Sequence, residues 1–504
     1  MAVLAIELTF PPATELEAPR YEPWTMAARW EETLVEKVQG FGGILLQRSP
    51  SLLAIIFGIP RTLEQLPQRA VQAALVIRHL ITEARRSEEG QPCPEVRLAA
   101  HVGALLVESQ AGAPTEHVLA VGDTLALPVR LLGQAAPGEI VVSPDVGRLV
   151  EGWFELEARE VPLGGETPGR IIAYTVTGLG PRRFPLARLE RWVQSRFVGR
   201  ERELAALEDL RAQAEGGRGQ VVGIVGEPGV GKSRLGYEFT RSPRSHGWLV
   251  LESTAVSYGK TTAYLPVIDL LKAYFQIEDH DEPRKMHEKV TGKLLTLDEA
   301  LRPTLPALLA LLEVPVEDPE WQALDPLQRR QRTLDAVKRL LLRESQVQPV
   351  LLVFEDLHWS DTETQVFLDS LIESLPTHRI LLLVSFRPEY QHGWGNKTYA
   401  TQLRLDPLPP ERAEELLEAL LGGKGGAQHA APLQALKQLL IEQTEGNPFF
   451  LEESVWTLVE QGVLVRDPNG GAGLRPAPTM NLSEIRMPAT VQAVLAARIG
   501  RLPP

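Results

Sequence analysis

Three uninterrupted apolar runs lie in the second half of the chain: VVGIV at 221–225, VLLVF at 350–354 and ILLLVS at 380–385. Each is too short for a buried helix and lacks apolar/polar alternation. Each therefore predicts a strand covered on both faces, as in a parallel sheet sandwiched by helices. Helical periodicity marks other segments. Residues 67–86 (PQRAVQAALVIRHLITEARR) predict an amphipathic helix. Residues 276–330, polar and then Leu-rich, predict a helical insert. Residues 403–422 leave a strand, turn at Pro409 and Pro410, and enter another helix. The stretch GGKGGAQHAA predicts a flexible loop, and RDPNGGAG at 466–473 a disordered or hairpin loop. No internal repeat is present.

The polar residues that close each apolar run carry the chemistry. The first run is followed by GEPGVGKS, the pattern Gly, any four residues, Gly, Lys, Ser: Gly226, Glu227, Pro228, Gly229, Val230, Gly231, Lys232 and Ser233, with Arg234 next. Glycines there let backbone N–H groups converge on phosphate oxygens, and a helix starting near Lys232 points its positive end at the same anion. Lys232 is expected to reach the β- and γ-phosphates, and the Ser233 hydroxyl to ligate Mg²⁺. The second run ends in Glu355 and Asp356. Carboxylates at the carboxyl end of a buried parallel strand sit where open α/β sheets bind ligands. One is expected to hold the Mg²⁺ shell and the other to orient the attacking water. The preferred assignment is Glu355 to the metal and Asp356 to the water, although the sequence leaves the choice open. The third run leads to Arg387, placed to read a γ-phosphate.

Composition narrows the field. The 504 residues suggest about three domains. The net charge of −13, with no basic run, argues against a nucleic-acid surface. Cys93 is the single cysteine, so no intrachain disulfide can form and the composition argues against a structural zinc site, which suits a reducing cytoplasm. Every apolar run is broken within about a dozen residues, short of a membrane span. The opening MAVLAIELTF shows no basic leader.

Taken together, RFVGRERELAALEDL (196–210), GEPGVGKS, SYGKTTAYLPVIDLL (257–271), FEDLHWSD, SFRPE and TEGNPFFLEE (444–453) resemble the signal-transduction ATPases of the AAA-like STAND class, over about residues 196–504. The resemblance implies that Phe197, Val198 and Gly199 cradle the adenine side. It also implies that Pro448, in a Gly-any-Pro element of a helical domain, touches the base. Gly446-Asn447-Pro448 taken by itself is an ordinary helix-stopping turn. The last segment, MPATVQAVLAARIGRLPP, resembles the first helix of a winged-helix domain that stops there.

The N-terminal 180 residues resemble a class III nucleotidyl cyclase homology domain. The matching pieces are GGILLQRSPSLLAIIFGIP (42–60), the amphipathic helix, VRLAAHVGALLV (96–107), AVGDTLALPVRLLGQAAPGEIVVS (120–143) and FELEAREVPLGG (154–165). The resemblance implies a ferredoxin-like βαββαβ core and a dimer with its site at the interface. It also implies that the catalytic set is lost. Glu7 stands at the first metal-binding aspartate, Ser51 at the second, Gln47 at the purine-selecting lysine and Ala126 at the transition-state asparagine. Pro50 enters the catalytic hairpin, and only Arg130 matches. A serine hydroxyl brings none of the charge a two-metal site needs.

The expected architecture is therefore an α/β multidomain chain. A degenerate, ferredoxin-like α+β cyclase-homology domain (1–180) and a linker (181–195) precede a P-loop α/β ATPase (196–405). A helical lid domain (406–480) and the start of a winged helix (481–504) follow. The expected function is a slow Mg²⁺-dependent ATPase acting as a cytoplasmic signalling switch that binds ATP or ADP. Its partner is itself or a signalling protein, with neither membrane nor nucleic acid bound by this chain. An active adenylate cyclase with an ATPase regulator and a non-hydrolysing nucleotide-bound scaffold are the alternatives.

Overall fold

The computed structural model describes residues 1–10, 23–49, 51–59, 65–87, 93–109, 118–121, 123–163, 169–180, 196–256, 263–278, 281–421, 430–460, 462–466 and 474–476. Pro50, the linker expected at 181–195, the loops at 422–429 and 467–473, and the winged-helix segment lie outside them. The chain divides into two compact units, residues 1–190 and 191–504.

The first unit is built on a seven-stranded sheet. Its strands are β1 (Ala2–Thr9), β2 (Gly43–Arg48), β3 (Leu52–Phe57), β4 (Glu95–Val102), β7 (Ile140–Val142), β8 (Phe154–Leu163) and β9 (Gly169–Leu179), in the order β2-β3-β1-β4-β7-β9-β8. A separate hairpin pairs β5 (Leu106–Ser109) with β6 (Val118–Val121). The helix Pro23–Gly40 follows β1 and the helix Leu66–Ser87 follows β3. The first four sheet strands and these helices run βαββαβ, with β1 central and antiparallel to both β3 and β4, which is the ferredoxin-like arrangement. Residues 2–6 of β1 are fully buried, as a central strand beneath a helix requires.

The second unit holds five parallel strands: β10 (Gln220–Val225), β11 (Leu249–Thr254), β12 (Val350–Glu355), β13 (Ile380–Phe386) and β14 (Ala400–Arg404). Their order is β11-β12-β13-β10-β14. Alternate side chains go to opposite faces. Val221, Val225, Leu352, Phe354, Leu382 and Val384 join one core, which also takes in the helices Leu265–Phe275, Pro283–Leu297, Leu305–Leu311, Pro326–Val347 and Thr362–Ser374. Val222, Ile224, Leu351, Val353, Leu381 and Leu383 join a second core with Leu207 and Ala214 of the helix Glu201–Glu215 and Leu235 and Phe239 of the helix Lys232–Thr240. Burial on both faces is the reason the three runs contain no polar alternation.

Local chemistry fixes the element ends. The helix Pro326–Val347 starts in a capping box, in which Asp325 accepts from the Gln328 backbone, Gln328 answers to the Asp325 backbone, and Pro326 occupies the first turn. Asp361 caps the helix Thr362–Ser374 by accepting from the Thr364 backbone at 2.9 Å. After β14 the chain enters three helices, Pro410–Leu421, Ala430–Thr444 and Pro448–Glu460. These close a core of their own around Leu408, Leu416, Leu436, Leu451 and Leu464, and that core also buries Val198. β15 (Leu464–Arg466) and β16 (Leu474–Pro476) pair antiparallel on either side of the stretch read as a loop. Among the described residues, no helix is long and apolar enough to cross a membrane.

Candidate nucleotide site

β10, β12 and β13 end on the same sheet edge, because all three are parallel. β13 lies between the other two. This ordering gathers what the sequence scatters over about 160 residues. Strand β10 feeds the loop Gly226–Gly231 and the helix Lys232–Thr240; β12 ends at Glu355; β13 runs through Ser385 to Phe386, and Arg387 follows it directly. The switch in strand order beside β10 is the place where open α/β sheets form a ligand crevice.

Lys232 is buried. Its ammonium donates to the carbonyls of Gly226, at 2.7 Å, and Glu227, at 3.0 Å. Burial holds it below the ordinary lysine value, opposed by Asp356 and assisted by Arg387. Gly231 precedes the helix in a left-handed conformation, and no side chain caps the first turn. The first-turn N–H groups and the positive helix end therefore face the same crevice as the ammonium.

Glu355 is buried at the end of β12 and accepts from the Ser233 hydroxyl. Burial first, and Asp356 second, push its carboxyl up to about 8. Asp356 follows in the left-handed region with φ 56° and ψ 42°. Asp tolerates that conformation better than most residues, and here it turns the chain sharply out of the strand. Its backbone N–H donates to the Ser385 hydroxyl of β13 at 3.0 Å. Arg387, two residues beyond Ser385 and buried, places its guanidinium 5.6 Å from the Trp359 ring centre. Ser385 thus ties the acidic turn to the strand that delivers the arginine, a connection with no signal in the sequence.

The Ser233 hydroxyl and the Glu355 carboxyl, already in contact, offer the oxygen donors that Mg²⁺ takes when most of its shell is phosphate and water. Among the described residues, no group of three or more His, Cys, Asp or Glu is placed to hold a metal ion by itself.

Phe197 packs against the second core and lies 5.8 Å from the Arg234 guanidinium, which also pairs with Glu238 at 2.7 Å. Val198 enters the core of the three C-terminal helices, and the Gly199 N–H donates to Glu201 at 3.2 Å. Arg200 is buried and donates to the Val230 carbonyl at 3.1 Å and the Asp406 carbonyl at 2.5 Å. Pro448 begins the last of the three helices. Its neighbours hold the loop directly: Asn447 Nδ2 donates to the Pro228 carbonyl at 3.0 Å, and the Phe449 N–H to the Gly229 carbonyl at 3.2 Å. Arg200 and Asn447 lay within quoted motifs but carried no assigned role. A charged residue after Phe-Val-Gly and an Asn before a helix-starting Pro were their only signals.

In the first unit, Glu7 and Ser51 lie on neighbouring backbone segments, one residue out of register. The Leu8 N–H donates to the Ser51 carbonyl at 2.8 Å, and Glu7 is registered opposite Leu52. On the other side Glu7 faces Arg97, whose Nη1 lies 3.0 Å from Glu7 Oε2. Gln47 borders a register shift between β2 and β3, and Ala126 and Arg130 are exposed on the helix Asp123–Leu132.

The AAA ATPase domain family matches residues 196–384 of this chain. A curated relative, an uncharacterized protein of Rhizobium meliloti (strain 1021), is 25% identical over 492 residues, and the chain spans 44% of that relative's length. A fragment covering 35% of the chain is similar to the guanylate cyclase domain of RhGC from Catenaria anguillulae in complex with GTP, at 18% identity and a TM-score of 0.29 over 97% of that chain. The same share of the chain is similar to the adenylyl cyclase CyaB from P. aeruginosa, at 14% identity and a TM-score of 0.29 over 93% of that chain.

Proposed function

We propose that this chain is an ATP-dependent signalling switch of the STAND type, a slow Mg²⁺-dependent ATPase joined to a cyclase-like domain that regulates or dimerises without cyclising. The observation that carries the reading is the meeting of Lys232, Ser233, Glu355, Asp356 and Arg387 at one sheet edge. The loop N–H groups and the helix start bind the β- and γ-phosphates, and Lys232 exchanges its two loop carbonyls for phosphate oxygens. Ser233 and Glu355 would hold Mg²⁺, which would supply charge neutralisation at the phosphates. Asp356 orients the attacking water, and Arg387 senses the γ-phosphate. Phe197, Val198, Gly199 and Pro448 border the adenine. Binding and release of the γ-phosphate bias how the helical segment seats on the loop, and that movement is the output. Partner recognition, by a second copy or a signalling protein, takes place in the cytoplasm, in keeping with the lone Cys93.

The loss of cyclase chemistry in the first unit is supported by the Arg97–Glu7 pair. A guanidinium stands where a two-metal site needs a free carboxylate. The decisive experiment is nucleotide turnover with product identification on the whole chain. ADP and phosphate, with no cyclic nucleotide, are expected. Cyclic AMP as the product would overturn the reading.

A further inference from the structure

Five successive carbonyls of the phosphate loop each receive a donor from a side chain or backbone group beyond residue 230 or before residue 201. Lys232 takes those of Gly226 and Glu227; Asn447 Nδ2 takes Pro228; the Phe449 N–H takes Gly229; Arg200 takes Val230. In a trans peptide the C=O and the next N–H point in opposite directions along one rigid plane. Fixing the Pro228 carbonyl therefore aims the Gly229 N–H, and fixing the Val230 carbonyl aims the Gly231 N–H. Three of these five clamps belong to neither the loop nor its helix, and two of the three come from the turn Asn447–Phe449 that starts the helix Pro448–Glu460.

We propose that Asn447 is a positioning residue that makes the seating of the C-terminal helical segment and the anion-binding shape of the phosphate loop a single equilibrium. The inference rests on the phosphate-loop reading above. Asn447 is buried, and its amide has two ends with two jobs. Oδ1 accepts from the Phe450 N–H at 3.4 Å, which caps the helix, while Nδ2 reaches across to Pro228 at 3.0 Å. The fit leaves no slack: a Cβ on Gly229 would lie 2.6 Å from Asn447 Oδ1, and Gly229 itself has φ +83°. When the helical segment lifts, the loop loses two carbonyl clamps together, and the N–H groups behind them lose their aim. A nucleotide that requires those N–H groups must therefore bind the seated form more tightly, and by reciprocity it seats the segment.

The two jobs can be separated. Asn447→Ser keeps a good cap but is too short to reach Pro228 and adds no charge. In the full chain it should leave the melting temperature of the nucleotide-free protein where it was and weaken ATP binding about tenfold by calorimetry, the scale of one lost hydrogen bond. ATP with Mg²⁺ should slow amide exchange in the peptide spanning residues 447–451 of the wild-type protein and leave it unchanged in the variant. A residue that only caps the helix would move neither readout. Where serine lowers the melting temperature, Asn447→Thr, which also retains the cap and adds no charge, is the variant to read. Wild-type ATP affinity in a variant with wild-type stability overturns the inference. Failure of the wild-type chain itself to bind ATP overturns the phosphate-loop reading, and the wild-type titration alone reveals that.

Discussion

Arg97 and Glu7 stand directly opposite each other on β4 and β1, with Nη1 3.0 Å from Oε2. Both side chains are about a third exposed, so the pair contributes no more than about 1 kcal/mol to stability. Its importance is chemical, because the carboxylate that resembles a metal ligand already has a cation.

The whole chain should accordingly form no cyclic AMP or cyclic GMP from ATP or GTP with Mg²⁺ or Mn²⁺, read by mass spectrometry of the products. Glu7→Asp alone should not restore activity, because Ser51 still brings no charge and Ala126 no hydrogen bond to the transition state. Cyclic nucleotide that disappears on Arg130→Ala would show that a site persists.

Lys232→Ala should abolish tight ATP binding. The substitution removes the main cation near the β- and γ-phosphates and also frees the Gly226 and Glu227 carbonyls it now holds. Calorimetric titration reads the effect, and an unchanged affinity would refute the phosphate-loop assignment.

The acidic pair should divide its roles. Asp356→Asn keeps the shape of the left-handed turn and the N–H bond to Ser385 but loses the charge. Nucleotide binding should survive while turnover falls by about a hundredfold or more. Glu355→Gln should instead raise the Mg²⁺ concentration needed for binding and turnover, since its amide oxygen still accepts from Ser233 but brings no charge to the metal. The opposite pattern, with the Mg²⁺ requirement raised in Asp356→Asn, would exchange the two assignments.

Glu355 also gives a pH signature. Its carboxyl is raised from the ordinary 4.5 to about 8, so in the absence of metal the folded protein holds a proton that the unfolded chain has released. Between those values the folded state binds more protons, and stability must fall as pH rises from about 4.5 through about 8. Thermal melts in EDTA across this window should show that slope, and Glu355→Gln should flatten it. A variant with the wild-type slope would mean that another group titrates there.

The sequence revealed whatever depends on neighbours along the chain. Burial on both faces leaves an unbroken apolar run, so β10, β12 and β13 were legible, as were the residues at their ends. Strand order was not, because pairing β13 between β10 and β12 is a contact between distant segments. For the same reason Ser385 looked like any strand residue, although its hydroxyl fixes Asp356. Asn447 looked like part of a turn, and Arg97 like a polar residue on a half-exposed strand. Each of these side chains is defined by its partner, and the partner is many residues away. The choice between Glu355 and Asp356 for the metal was open from spacing alone. The Ser233 hydroxyl against the Glu355 carboxyl is what supports the proposed assignment of Glu355 to the metal.

The clasp between loop and helical segment has a glycine on each side, both at positive φ: Gly229, and Gly446, where a Cβ would sit 2.2 Å from the Leu408 carbonyl oxygen. Gly446 in turn accepts from the Leu408 N–H at 2.9 Å, so the approach cannot relax without losing that bond. Even a methyl group at position 446 acts as a wedge. A saturation scan read out as ATP binding should therefore show position 446 nearly as intolerant as Lys232, although it carries no side chain and lies outside the phosphate loop. Loss of function in this chain can thus arise where no functional group exists to be lost.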